Sequence, residues 1–276
     1  MTGSFLHDGV TFAGEALGEG RPLVLCHGLG GDREQPKELL GEVAGWRLHV
    51  WDARWHGQTE PAREEEKLSF ARFAADLDAL MDHWHVDRAV VGGISMGAGV
   101  AVRLAVERPD RVAGLLLVRP AWLDRPSPPN LALFPVIGRL LGEMPPAEAL
   151  AAFQRDHADV LKHVRDVSPP VADSLCEQFS KPKATERRAR LGRIAASAPV
   201  ASLELAAELT MPAVVIGTDR DPVHPFSMAE RWAECLPGAQ LVKIPSKASD
   251  PVGHVAAFRR TVHRFLRGLS EEAHPC

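Results

Sequence analysis

Residues 89–103 read AVVGGISMGAGVAVR. An apolar, β-branched run meets Gly92-Gly93, turns at Ser95 and continues into the small residues Ala98 to Val102. Gly93-Ile94-Ser95-Met96-Gly97 is the chain's one match to G-x-S-x-G. A strand that reverses sharply into a helix strains the residue at the corner, and side chains two places before or after it would collide, so glycine fits there. The serine hydroxyl is thereby exposed above a helix N-terminus, where backbone N–H groups stabilise an anion.

The flanking sequence alternates strand and helix patterns around this corner. Phe5 to Leu17 alternates apolar and polar residues about Asp8-Gly9, the mark of an antiparallel hairpin. Pro22 to Cys26 is an apolar run feeding the loop His27-Gly28-Leu29-Gly30-Gly31-Asp32, and Arg47 to Asp52 is a second strand after a helix near Pro36 to Val43. Phe70, Phe73, Leu77, Leu80, Met81 and Trp84 recur at helical spacing behind Ser69, a candidate N-cap. A further strand spans Val112 to Val118. Alternation of this kind predicts a mostly parallel sheet flanked by helices with right-handed crossovers.

At Pro120 the texture changes. The next 80 or so residues carry prolines at 126, 128, 129, 135, 145, 146, 169, 170 and 182, with short helical patterns such as Ala147 to Phe153 and Val171 to Phe179. The rhythm then resumes with a helix at Ser202 to Leu209, strands at Ala213 to Gly217 and Gln240 to Ile244, a helix from Ser227 to Cys235 and a last helix from Val255 to Leu269. The expected organisation is a core in two parts, residues 1–121 and 200–276, split by a helical cap over residues 122–199.

A chain of 276 residues is long enough for such a core. A net charge of −4 gives no general attraction for nucleic acid or an anionic membrane. The N-terminus MTGSFLHDGV lacks the basic and apolar regions of a secretory signal, and no run reaches membrane-span length, so the expected location is cytoplasmic. Cys26, Cys176, Cys235 and Cys276 are scattered, without a C-x-x-C pair, which disfavours a disulfide framework or zinc site. Tyrosine is absent, leaving serine, histidine and carboxylates to carry chemistry.

A serine hydroxyl needs a base to take its proton and a third group to orient that base. His254, in Asp250-Pro-Val-Gly-His254 just after the last strand and at the start of the last helix, is the expected base, with His224 and His263 as rivals. The segment Gly217-Thr-Asp219-Arg-Asp221-Pro-Val-His224-Pro offers the acid: Asp221 is preferred over Asp219, which suits a turn-former, and over the remoter Asp124. Backbone N–H groups of Leu29 and Met96 are the expected oxyanion donors. His27 is read as shaping its loop. Neither G-x-x-x-x-G-K-[ST] nor a well-placed G-x-G-x-x-G occurs, which excludes a nucleotide-loop reading. No metal or organic cofactor is required.

HGLGGD at 27–32, Asp52-x-Arg54-x-x-Gly57, GISMG at 93–97, GTDRDPVHP at 217–225 and Gly253-His254 together resemble the α/β-hydrolase superfamily over nearly the whole chain. That resemblance implies an eight-stranded, mostly parallel sheet, a cap over the site, and Ser95, Asp221 and His254 as triad. It also marks a departure, because the family commonly has glycine where this chain has Trp55, which would put an indole at the pocket rim. Trp122, Leu131, Phe134, Phe153 and Phe179 would line an apolar pocket or form the cap's own core. Since related enzymes with dehalogenase or epoxide hydrolase chemistry carry aspartate at the corner, the serine points to hydrolysis of a carboxylic ester, or of a related thioester or lactone, in a small to medium substrate. Alternatives on the same scaffold are acyl transfer, perhydrolysis, carbon–carbon hydrolysis and a triad-retaining receptor. Finally, Lys181, Lys183, Arg187, Arg188, Arg190 and Arg193 concentrate positive charge on the cap, either a solvated face or a dock for an acidic carrier protein.

Overall fold

The computed structural model describes residues 2–60 and 64–272. Asp8 and Gly9 both take positive φ, 48° and 71°, the primed turn whose twist matches that of the strands it joins. It links β1 (Thr2–His7) to β2 (Val10–Leu17). There follow β3 (Arg21–Cys26), α1 (Glu34–Leu40), β4 (Trp46–Trp51), α2 (Phe70–His83), β5 (Ala89–Ile94), α3 (Met96–Glu107) and β6 (Val112–Val118). Between β6 and the next strand stand α4 (Leu133–Glu143), α5 (Pro146–Asp156), α6 (Ala158–Val167), α7 (Pro169–Glu177), α8 (Ala189–Ala195) and the single turn α9 (Glu204–Ala207). The chain closes with β7 (Ala213–Thr218), α10 (Phe226–Cys235), β8 (Gln240–Ile244) and α11 (Pro251–Glu272).

The eight strands form one sheet in the order β1-β2-β4-β3-β5-β6-β7-β8. β2 runs antiparallel to both β1 and β4, and every other pairing is parallel. Strand residues alternate between two cores. On β6, Leu115 and Leu117 face the α2 side with Phe73, Leu77 and the inserted helices, while Leu116 and Val118 face α11 through Phe258, Val262 and Leu266. Parallel strands all end at one edge, and the loops that follow β3, β5, β6 and β7 converge there.

The hydrophobic pattern located the elements, and local capping chemistry set their ends. Ser69 accepts a hydrogen bond from the Arg72 N–H at 3.2 Å and starts α2. Two helices differ from the sequence expectation. The Ser202 to Leu209 pattern shrinks to the four residues of α9. By contrast, α11 begins at Pro251 instead of Val255, since Asp250 Oδ1 accepts the Gly253 N–H at 2.8 Å and proline is preorganised for a first helical position. His254 therefore lies inside the first turn of α11.

The corner between β5 and α3 is packed hard against β3. A methyl group on Gly97 would overlap the Cys26 carbonyl of β3, whereas one on Gly192, inside α8, meets nothing within 4 Å. Gly97→Ala should accordingly cost about 1–3 kcal/mol of stability, and Gly192→Ala should add about 0.4–1 kcal/mol. Urea midpoints of the two variants and wild type check both signs.

Candidate active site

Ser95 sits between β5 and α3 at φ 57°, ψ −108°, a conformation that L side chains rarely adopt. Its N–H donates to the Val118 carbonyl of β6 at 2.8 Å, and its own carbonyl accepts the Ala98 N–H at 3.1 Å, so strand and helix both hold the strained residue. The side chain opens on a cavity of about 290 Å³ at the carboxyl edge of the sheet. Leu29 forms part of the wall. Met96 is the first residue of α3, where an N–H has no partner inside the helix.

The loop after β3 is braced from within. Ala53 N–H donates to His27 Nε2 at 3.0 Å, so the ring proton lies on Nδ1 and is donated to the Gly28 carbonyl at 2.8 Å. Burial lowers the His27 pKa, and with both nitrogens engaged the ring is a brace instead of a proton carrier. Gly28 N–H donates to Gln35 Oε1 at 2.7 Å. Asp52, at the end of β4, accepts from the Arg33 N–H, the Arg33 guanidinium and the Gln58 N–H at 2.6–2.8 Å, tying the loops after β3 and β4 together. Cys26 beneath them accepts from Trp51 Nε1, and burial pushes its thiol up to about 12, so it offers no thiolate.

Across the cavity, Asp221 follows β7. Its Oδ1 accepts the N–H groups of Val223 and His224 at 3.2 and 3.0 Å. Its Oδ2 lies 2.9 Å from His224 Nδ1 and 3.3 Å from Arg119 Nη1. Burial alone would raise the carboxyl pKa, but the His224 ring and the Arg119 guanidinium outweigh it and hold the group well below the usual carboxylate range. Asp219 instead pairs with Lys243 at 3.4 Å, with both side chains about half exposed. His254 is placed differently: its Nδ1 bonds the Pro245 carbonyl at 2.8 Å, its Nε2 is buried without a partner, and 1% of the residue is exposed. Burial pulls its pKa down to about 4. Ser95, Asp221 and His224 line the cavity together, whereas His254 is not part of its wall.

A family model described as alpha/beta hydrolase fold matches residues 21–248. The chain belongs to the alpha/beta hydrolase fold family. It is 28% identical over 264 residues to “Putative carbamate hydrolase RutD” of Variovorax paradoxus strain S110, covering 93% of this chain and 96% of that protein. It is 25% identical over 259 residues to pimeloyl-[acyl-carrier protein] methyl ester esterase of Neisseria meningitidis, covering 90% and 93%. Among solved structures it resembles a thermophilic esterase from Thermogutta terrifontis, with malate bound, at a TM-score of 0.70, 25% identity and full coverage of both chains. Membership and these relatives support hydrolase activity for the chain.

Within this α/β-hydrolase frame, several expected site residues lie elsewhere than the sequence suggested. Trp122 and Phe134 do line the cavity. Trp55 does not: it is buried in the core, at a φ of 62° that glycine adopts more readily than tryptophan. Two of the six basic residues clustered at 181–193 are also not on a surface. Arg187 donates to the carbonyls of Gly57 and Thr59 at 2.7 and 3.0 Å, and Arg190 donates to the Trp55 carbonyl at 2.5 Å. Both are buried, so they staple the inserted helices to the loop after β4 and cannot dock a carrier. Arg119, half-buried with φ 45° and bonded to Asp221, carried no motif and escaped the sequence reading. Removing a staple leaves buried carbonyls unpaired. Arg190→Ala should cost about 1–3 kcal/mol, whereas Arg193→Ala on the exposed face should stay within about 0.5 kcal/mol, as read from thermal or urea unfolding.

Proposed function

We propose that the protein is a serine hydrolase that cleaves carboxylic esters of small acyl substrates, with Ser95 as nucleophile. The observation that carries this reading is the strained backbone of Ser95 at a strand end, opening on a cavity that also holds an ionised, fully hydrogen-bonded Asp221. Strain of this kind persists only where the surroundings impose it, and it presents the hydroxyl clear of its own helix. An acyl carbonyl above Ser95 would have its developing oxyanion between the Leu29 and Met96 N–H groups, where preorganised donors stabilise charge most effectively. Asp221 orients the histidine that takes the serine proton.

The cavity favours a small substrate, since about 290 Å³ lies at the low end of ligand sites. Trp122, Leu131 and Phe134 supply an apolar wall for an acyl chain, and Val171 and Leu175 of α7 close over it as a cap. Charged groups line the same space, among them Arg119, Lys247 and Asp221. A lining of both kinds suits an ester, whose acyl chain is apolar and whose reacting end becomes anionic in the transition state. Pimeloyl-[acyl-carrier protein] methyl ester esterase among the relatives, and the esterase among the structural neighbours, point the same way.

A fluorophosphonate probe tests the nucleophile directly. Wild type should be labelled, Ser95→Ala should not, and kcat/KM for p-nitrophenyl acetate should fall at least about 10³-fold in the variant. Labelling that persists in Ser95→Ala would remove Ser95 as the nucleophile, and a wild type that is inert to the probe and to a panel of short esters would remove the enzyme reading and leave a ligand-binding role.

A further inference from the structure

Asp221 holds a histidine, and it is not the one that its place in the chain suggested. We propose that His224 serves as the general base for Ser95, an assignment that rests on the serine-hydrolase reading above. In a triad the acid's work is to fix the proton on one ring nitrogen and leave the lone pair of the other toward the nucleophile. The Asp221 carboxylate does this for His224: Oδ2 sits 2.9 Å from its Nδ1, so the lone pair is left on Nε2, and the ring lines the same cavity as the Ser95 side chain.

The loop that carries both groups is built to keep them together. Asp221 and His224 are separated by two residues in Asp221-Pro222-Val223-His224-Pro225, and the prolines fix backbone torsions on either side. Oδ1 of the same carboxylate accepts the backbone N–H groups of Val223 and His224, which locks the acid before its second oxygen reaches the ring. Asn130 Nδ2 then ties the Val223 carbonyl to that of Ala121 at 2.7 and 3.1 Å, joining this loop to the chain after β6. Acid and base thus sit on one rigid turn, not on two separate loops.

His254 is held away from that role by its own helix. Its N–H donates to the Asp250 carbonyl at 2.9 Å, Asp250 caps the same turn through Gly253, and its Nδ1 is taken by the Pro245 carbonyl. Bonding Asp221 through Nδ1 would require it to leave Pro245, and Oδ2 is already taken by His224 and Arg119. His27 has both nitrogens occupied. In the proposed cycle Ser95 Oγ bonds the acyl carbon while its proton passes to His224 Nε2 and the carbonyl π pair moves to oxygen. Collapse of the intermediate breaks the bond to the leaving alkoxide, which takes that proton. A water molecule then repeats both steps and releases the acid.

The test compares histidine variants by the rate of fluorophosphonate labelling at Ser95 and by kcat/KM for a short p-nitrophenyl ester, with thermal melting to confirm folding. His224→Ala and His224→Gln should lose about 10²–10⁴-fold in both rates with KM little changed. Added imidazole should restore part of the rate to His224→Ala, where the vacated ring leaves room, and not to His224→Gln. His254→Gln should stay within about threefold of wild type. A folded His254→Gln as impaired as Ser95→Ala, or a His224→Ala labelled at the wild-type rate, would overturn the assignment. Wild-type labelling at Ser95 reports separately on the hydrolase reading, so the two can fail independently.

Discussion

The arrangement depends on one steric constraint, the closeness of the β5–α3 corner to the β3 strand beside it. Added methyls on Gly93 and Gly97 would both strike the Cys26 carbonyl, so the corner can exist only with hydrogen at these positions. That closeness forces Ser95 into its positive-φ conformation, lifts the hydroxyl out of the sheet and places the start of α3 beside the loop after β3. Once the corner is set, the parallel order of β4, β3, β5, β6, β7 and β8 brings the other functional loops to the same edge.

Around the corner the structure spends buried polar groups on holding loops instead of on chemistry. His27, Gln35, Asp52 and Arg33 brace the first two loops, and Arg187 and Arg190 bolt the inserted helices onto the second. Each buried guanidinium would be costly alone, and each meets carbonyl or carboxylate oxygens that would otherwise be unpaired. The inserted helices are thereby fixed against the loop after β4, and α7 of that insert contributes Val171 and Leu175 to the wall of the cavity on which Ser95 opens.

Much of this was legible in the sequence because the signals are local. Ser69 as an N-cap, Asp8-Gly9 as a primed turn and the G-x-S-x-G corner each depend on a few neighbouring residues, and the structure places them where the pattern did. Position 254 was harder, for two reasons. Asp250-Pro251 was itself a helix-start signal, which moves His254 into the first turn of α11 and gives its ring to Pro245. Which histidine meets Asp221 is a question of side-chain direction across loops, and spacing alone does not decide it. The same limit explains Trp55, Arg187 and Arg190: a residue type known to favour surfaces or rims reads as exposed until tertiary contacts bury it. Arg119 left no trace because a single arginine after a strand has no pattern to match.

Ser95 as a nucleophile served by the Asp221–His224 pair is the claim on which the functional account turns. A crystal structure of the covalent phosphonate adduct at Ser95 tests it most directly. In that adduct His224 Nε2 should lie within about 3 Å of Ser95 Oγ or the adjoining phosphonate oxygen, Nδ1 should remain on Asp221, and His254 should stay on the Pro245 carbonyl. An adduct in which His254 has turned to bond Asp221 through Nδ1 and Ser95 through Nε2, with His224 displaced, would contradict it.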